Sequence, residues 1–148
     1  MPQAISMQRL RAGRTGDTAV ISKHRIMIVD DQRSVRALVR SNLIQMGFRD
    51  FIECEDGEEA LKRLPDRQVS LIISDLNMPK LHGLGLLHAI RNRPGYESTP
   101  FILLIANGDE SAVNRAIELK VDNYVVKPFT FDALKQKVER GIGSVRQN

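Results

Sequence analysis

Four side chains in this sequence have types and spacing that could do chemistry together. Asp30 and Asp31 follow the apolar run Ile26 to Val29, Asp75 follows Leu71 to Ser74, and Lys127 follows Tyr124 to Val126. If each run is a strand of one parallel sheet, the three carboxylates and the ammonium meet at its carboxyl edge, where open α/β sheets hold their ligands. Like charges this close raise one another's pKa, so a cation compensates them or the fold loses stability. A hard divalent ion is the natural compensator. Mg²⁺ fits best, because it takes one or two carboxylates together with waters and phosphate oxygens. A carboxylate beside such an ion can attack a phosphoryl donor and form an acyl phosphate. Positioning and cations then supply most of the catalysis, because the transferred group spreads negative charge over its oxygens. On this reading Asp75 is the acceptor, Asp30 and Asp31 hold the metal, and Lys127 is the counter-charge.

Placing those residues on one edge requires a regular framework, and the pattern from residue 24 onward supplies five β-α units. Ile26 to Val29, Phe51 with Ile52, Leu71 to Ser74, Phe101 to Ile105 and Tyr124 to Val126 read as short buried strands. Between them apolar residues recur at helical spacing: Val35, Leu38, Val39, Leu43 and Met46; Ala60, Leu61 and Leu64; Leu84, Leu87 and Ile90; Ala112, Val113, Ala116 and Ile117; Leu134, Val138 and Ile142. Gly47 is a stop for the first helix, Asp56 with Glu59 has capping-box spacing, Pro65 ends the second helix, and Thr130 can cap the last. Near-continuous apolar strands joined by helices predict a doubly wound, five-stranded parallel α/β sheet covered on both faces.

Composition narrows the function classes. The chain has 148 residues, 42% of them hydrophobic, which suits one globular domain and is expected to leave no room for a separate output domain. No apolar run approaches the ~18 residues of a membrane span, and the N-terminus lacks a signal-peptide core, so a cytoplasmic protein is expected. The single cysteine, Cys54, excludes an internal disulfide and a cysteine metal cluster, and reads as a small buried hydrophobe after the second strand. The net charge of +4 is unevenly spread. Residues 1–23 hold Arg9, Arg11, Arg14 and Lys23 against Asp17, which makes them a flexible basic extension, while the other 125 residues are nearly neutral. Nucleic-acid binding is therefore not expected.

The sequence resembles the receiver domain of two-component response regulators, particularly the single-domain, CheY-like kind with its flavodoxin-like fold. The residues that carry the resemblance are Val29-Asp30-Asp31, Glu55-Asp56-Gly57, Ile73-Ser74-Asp75-Leu76-Asn77-Met78-Pro79 and Tyr124-Val125-Val126-Lys127-Pro128-Phe129. It runs from about His24 to Gly143, leaving 144–148 as a tail. The resemblance implies that Asp75 accepts phosphate from a histidine kinase or phosphotransfer protein. It also implies that Asp31, Asp75 and the Asn77 carbonyl contact Mg²⁺, with Asp30 nearby or acting through water. Such a protein signals through protein contacts. As an enzyme it does no more than catalyse its own phosphorylation and dephosphorylation.

The chain also departs from the family's pattern. Receivers usually end the fourth strand in Thr or Ser, whose hydroxyl bonds a phosphoryl oxygen. Here Ile105 stands there, followed by the expected small Ala106, and an isoleucine cannot donate that bond; Ser98 and Thr99 lie too early to substitute. Coupling from the site to an output face is thus expected to be weak, with metal binding and phosphotransfer unaffected. Tyr124 is either the family's rotating aromatic or a packed strand residue. Lys120-Val121-Asp122-Asn123 replaces a glycine-containing loop, with Asn123 the residue that tolerates a left-handed backbone. Lys135, Lys137 and Arg140 on the last helix read as a solvated face, while the partner face implied by the resemblance joins the fourth helix, fifth strand and fifth helix, with Lys120, Tyr124 and Lys137 as the first residues to test. His82 and His88 read as surface residues.

Two rivals complete the expectations. A phosphatase of the haloacid dehalogenase type would need a second Asp two residues after Asp75, where Asn77 cannot give a proton. A phosphorylation-independent adaptor, or an effector for an anionic ligand, is suggested by Ile105 and the basic extension.

Overall fold

Strand and helix alternate along the chain as the periodicity predicts. The computed structural model describes residues 23–64 and 69–147. In order these form β1 (Arg25–Val29), α1 (Arg33–Gln45), β2 (Asp50–Cys54), α2 (Gly57–Lys62), β3 (Leu71–Asp75), α3 (Gly83–Arg91), β4 (Phe101–Ala106), α4 (Glu110–Glu118), β5 (Asn123–Lys127) and α5 (Phe131–Gln147). All the strand pairs are parallel, and the sheet order is β2-β1-β3-β4-β5. Winding reverses between β1 and β3, so the crevice that this reversal opens lies between the ends carrying Asp30 and Asp75.

The pleat divides the apolar residues into two layers. Ile26, Ile28, Leu71, Ile73, Ile102, Leu104 and Val125 meet Val39 and Leu43 of α1 and Leu134, Val138 and Ile142 of α5. Met27, Val29, Ile72, Leu103 and Ile105 face the other way, against Ala60 of α2, Leu86, Leu87 and Ile90 of α3, and Ala112 and Ala116 of α4. With both faces covered, each strand can be apolar throughout, which is why the strands carry no alternation.

Local chemistry sets the helix ends. The Asp56 carboxylate accepts from the Glu59 N–H at 2.8 Å, and the Glu59 carboxylate accepts from the Glu55 N–H at 2.7 Å. Thr130 Oγ1 accepts from the Ala133 N–H at 3.0 Å, and Gly47 follows α1 with φ of 108°. His82, read as a surface residue, is exposed and also caps α3, its Nδ1 accepting from the Gly85 N–H at 3.4 Å.

Several expectations need correction. Cys54 is the last residue of β2 rather than a residue beyond it, and it is buried, because the strand extends in register with β1 as far as Val29. Burial raises its thiol to about 11, so it is a packing residue without thiolate character at neutral pH. Leu38 and Ile117, which share the helical spacing, are 51% and 60% exposed. The left-handed residue of the α4–β5 loop is Lys120, with φ of 65°, while Asn123 is the first residue of β5. Finally, α5 runs unbroken through the expected boundary at 143 to Gln147. Pro65 and the basic extension 1–22 lie outside the described residues.

A clasp closes the amino edge of the sheet. The Arg91 guanidinium, at the end of α3, donates to the Lys120 carbonyl at 3.0 Å, the Thr99 carbonyl at 2.8 Å and Asp122 Oδ2 at 2.7 Å. The same Asp122 oxygen accepts from the Phe101 N–H at 2.6 Å. One side chain thus ties α3 to the start of β4 and to the loop before β5.

Candidate functional site

The parallel register brings three acidic residues to the carboxyl edge. Asp30 directly follows β1 and hydrogen-bonds its own N–H to the Cys54 carbonyl at 3.0 Å, so it continues the ladder while its side chain turns into the crevice. Asp75 is the last residue of β3, paired with Leu104 of β4. One carboxylate oxygen from each of Asp30, Asp31 and Asp75 lies within 4.8 Å of the others. Asp30 and Asp75 are buried and Asp31 is exposed, so the cluster opens to solvent on Asp31's side. Lys127, the last residue of β5, reaches from the sheet's edge strand to place Nζ 2.6 Å from Asp75 Oδ1.

That single ammonium leaves the cluster short of positive charge. Asp30 Oδ1 accepts from the Gln32 N–H at 2.8 Å, but Oδ2 is buried without a hydrogen-bond partner. Burial, reinforced by the Asp75 charge, raises the Asp30 carboxyl from its usual 3.8 to about 6. A buried carboxylate with an orphaned oxygen, grouped with two more carboxylates that each bring an oxygen within 4.8 Å of the others, is an all-oxygen donor set that suits a small, hard dication. Asp30, Asp31 and Asp75 would hold it.

Two glycines missed by sequence reasoning shape the loop from Leu76 to His82. A Cβ at Gly83 would overlap the Asp75 carbonyl, and one at Gly57 would overlap the Leu81 carbonyl, to which the Gly57 N–H donates at 3.0 Å. The start of α3 therefore presses against the end of β3, and α2 pins the loop from the other side. Gly57 belongs to the Glu55-Asp56-Gly57 run that carries the family resemblance, whereas nothing in the sequence around Gly83 marks its close approach to β3. Lys80 takes a left-handed conformation in this loop with φ of 63°, and nothing about a lysine announces it.

The remaining candidate residues fall outside the carboxylate cluster. Asn77 is exposed two residues beyond Asp75 and, with His82, Asp109 and Arg115, lines a cleft of about 160 Å³ between the loop and α4. Ile105 is fully buried in the same apolar layer that Tyr124 packs against, and Ala106 after it is exposed. Tyr124 is half-buried, with Lys137 Nζ 5.9 Å from its ring centroid. Thr99 is buried at the opposite edge of the sheet, where its carbonyl serves the Arg91 clasp, so it cannot stand in for a hydroxyl at 105. His88 and Lys120 are exposed. Among the described residues, no helix is long and apolar enough to cross a membrane.

Comparison with known proteins identifies the family and the fold. Residues 26–139 match the family model of the response regulator receiver domain. The chain is 38% identical over 128 residues to a Rhizobium etli protein named "Probable chemotaxis protein CheY", with 86% of this chain and 99% of that protein covered. It is 33% identical over 121 residues to chemotaxis protein CheY1 of Helicobacter pylori, covering 81% and 98%. The crystal structure of the chemotaxis protein CheY4 of Vibrio cholerae superposes with a TM-score of 0.73 at 28% identity, covering 79% of this chain and 97% of that one. The chain belongs to the response regulator receiver domain family, with CheY-like single-domain proteins among its relatives.

Proposed function

We propose that Asp75 accepts a phosphoryl group from a histidine kinase or phosphotransfer protein in a Mg²⁺-dependent reaction, and that the protein then signals through protein contacts rather than by turning over a substrate. The observation that carries this reading is the 2.6 Å contact between Lys127 Nζ and Asp75 Oδ1 beside two further carboxylates. Asp75 is the nucleophile: its carboxylate oxygen forms the bond to phosphorus as the donor's imidazole nitrogen or acyl oxygen leaves. Lys127, already on Asp75, faces negative charge throughout the transfer and cannot drift to solvent without uncovering a buried carboxylate. Bound Mg²⁺ would neutralise the incoming phosphoryl oxygens. Asp30 and Asp31 hold carboxylate oxygens ready for it, and the buried Asp30 side chain is fixed through its bond from the Gln32 N–H.

Acetyl phosphate tests the reaction without a partner kinase. Intact-mass spectrometry should show one added phosphoryl group with Mg²⁺, none with EDTA, and none in Asp75→Asn. Labelling of Asp75→Asn at the wild-type level would assign the acceptor elsewhere. The relatives' names make chemotaxis the first process in which to seek a partner.

Ile105 favours a second reading of the output. Its side chain is fully buried and has no hydroxyl to offer a phosphoryl oxygen. A charge-assisted hydrogen bond of roughly 1.5 to 3 kcal/mol is then missing from the phosphorylated state. A ligand shifts an equilibrium only by its differential interaction with the two states, so phosphorylation moves the Tyr124 face weakly. Amide chemical shifts around Tyr124 and Lys120 should change little on phosphorylation of the wild type and more in Ile105→Thr. A full response in the wild type that Ile105→Thr does not enlarge would sink this second reading.

A further inference from the structure

We infer that the amino edge of the sheet carries a second ligand site, a cleft for a small polyanion, on the opposite side of the sheet from Asp75. Leu71, Pro100, Ile102 and Asn123 at the starts of β3, β4 and β5 form one wall, and Lys137, Arg140 and Gly141 of α5 form the other. The cleft holds about 230 Å³, below the roughly 300 to 1,000 Å³ of pockets for drug-sized molecules, which suits a ligand of a few heavy atoms.

Charge decides the sign of that ligand. Asp122 is the acid on the lining, and its Oδ2 is already committed to the Arg91 guanidinium and the Phe101 N–H. Lys137 and Arg140 have no carboxylate partner among the described residues. Lys137 has only the face of the Tyr124 ring, 5.9 Å from its Nζ. Two cations therefore line a concave surface whose acid is neutralised by a third. A phosphate- or polycarboxylate-bearing small molecule answers that arrangement.

Gly141 supplies an independent observation. It lies inside α5, where glycine is a poor helix former and alanine the best. No packing requires glycine there: an added Cβ would meet Leu71 Cδ1 at 3.4 Å and Pro100 Cβ at 3.5 Å, ordinary contact distances. The glycine weakens the helix and leaves open the floor of this cleft.

Pyrophosphate is the probe, titrated into the ¹⁵N-labelled protein in EDTA, with sodium chloride at matched ionic strength as the reference. Without divalent cations the carboxylate edge repels the probe, so the two ends of the sheet are read separately. Saturable shifts are expected at the amides of Leu71, Ile102, Asn123 and Gly141, unchanged in Asp75→Asn. The double variant Lys137→Gln with Arg140→Gln should weaken binding at least tenfold, and Gly141→Ala, which fits sterically, at least threefold. Lys135→Gln, the same charge change on the solvated side of α5, should leave the affinity as it was. Shifts that fail to saturate, that match those of sodium chloride, that centre on Asp30 and Asp75, or that survive in the double variant would each overturn the inference. Thermal unfolding of every variant confirms that a lost response is not a lost fold.

Discussion

Lys127 at the carboxyl edge of the sheet faces three carboxylates, whereas Arg91 at the amino edge divides its N–H donors among one carboxylate and two backbone carbonyls. Both cations are partly buried, and both join elements distant in sequence. The difference lies in what is left over. At the amino edge the carboxylate and the two carbonyls around the guanidinium are matched by its donors, and what is left over is a neutral group, the buried Thr99 hydroxyl. At the carboxyl edge a buried Asp30 oxygen has no donor, and the acid is pushed up to about 6. The first arrangement holds the fold together. The second keeps an unmet demand for positive charge, which in a folded protein is maintained at the expense of stability.

The sharpest way to break the comparison is to remove one charge from each edge and compare the signs. Arg91→Ala leaves two carbonyls without their donor and Asp122 with the Phe101 N–H, and should lower the unfolding free energy by about 2 kcal/mol, less than for breaking a buried pair because Asp122 is exposed to solvent. Asp30→Asn keeps the acceptor for the Gln32 N–H and removes the repelled charge. In metal-free buffer at pH 7 it should raise stability by about 2 kcal/mol, read by urea unfolding. If both variants lose stability, Asp30 is structural and the contrast fails.

The pH dependence sharpens the same point. A carboxyl raised from 3.8 to about 6 binds its proton more tightly in the folded state than in the unfolded. Its protonated form therefore stabilises the fold below about pH 4, and that contribution is lost as the pH rises through about 6, by up to roughly 3 kcal/mol. The wild-type stability minus that of Asp30→Asn should fall across this window. A flat difference would mean that Asp30 is not held in its raised state. Added Mg²⁺ should reduce the fall.

Smaller effects test the loop that the clasp holds. Lys120 sits in a left-handed conformation that costs a side-chain-bearing residue roughly 1 to 2 kcal/mol, so Lys120→Gly should be neutral to stabilising by about 1 kcal/mol. If the glycine variant is instead destabilised, the Lys120 side chain makes a contribution that its exposed position does not reveal. Asp31→Ala, at the exposed rim of the cluster, should leave metal-free stability unchanged within about 0.5 kcal/mol while weakening Mg²⁺ binding, measured by calorimetry.

The contrast between the edges also explains what could be read from the sequence. Strands and helices are legible in the periodicity, and the Asp30, Asp31, Asp75 and Lys127 constellation in the residues that end the first, third and fifth apolar runs. Local order suffices there, because a parallel sheet brings every strand end to the same side. The amino-edge clasp was invisible for the converse reason. Arg91 meets Lys120 and Asp122 across separations of 29 and 31 residues, in loops without periodicity. Asn123 tolerates a left-handed backbone by intrinsic preference, yet the left-handed residue of that loop is Lys120, just past the helix end at Leu119, with its carbonyl held by Arg91. Leu38 and Ile117 followed the helical period yet face solvent, since spacing gives a helix's angular pattern without saying how wide a stripe its neighbours cover. Gly57 and Gly83 are small because the Leu81 and Asp75 carbonyls come against them, a fact carried by the fold alone.

The order in which the site's parts leave the ribosome follows from the strand that carries each. Asp30 and Asp31 follow the first strand and Asp75 ends the third, two strands that pair directly, whereas Lys127 ends the last strand, 52 residues after Asp75. A nascent chain thus carries all three acidic residues before the lysine that faces Asp75 has been made.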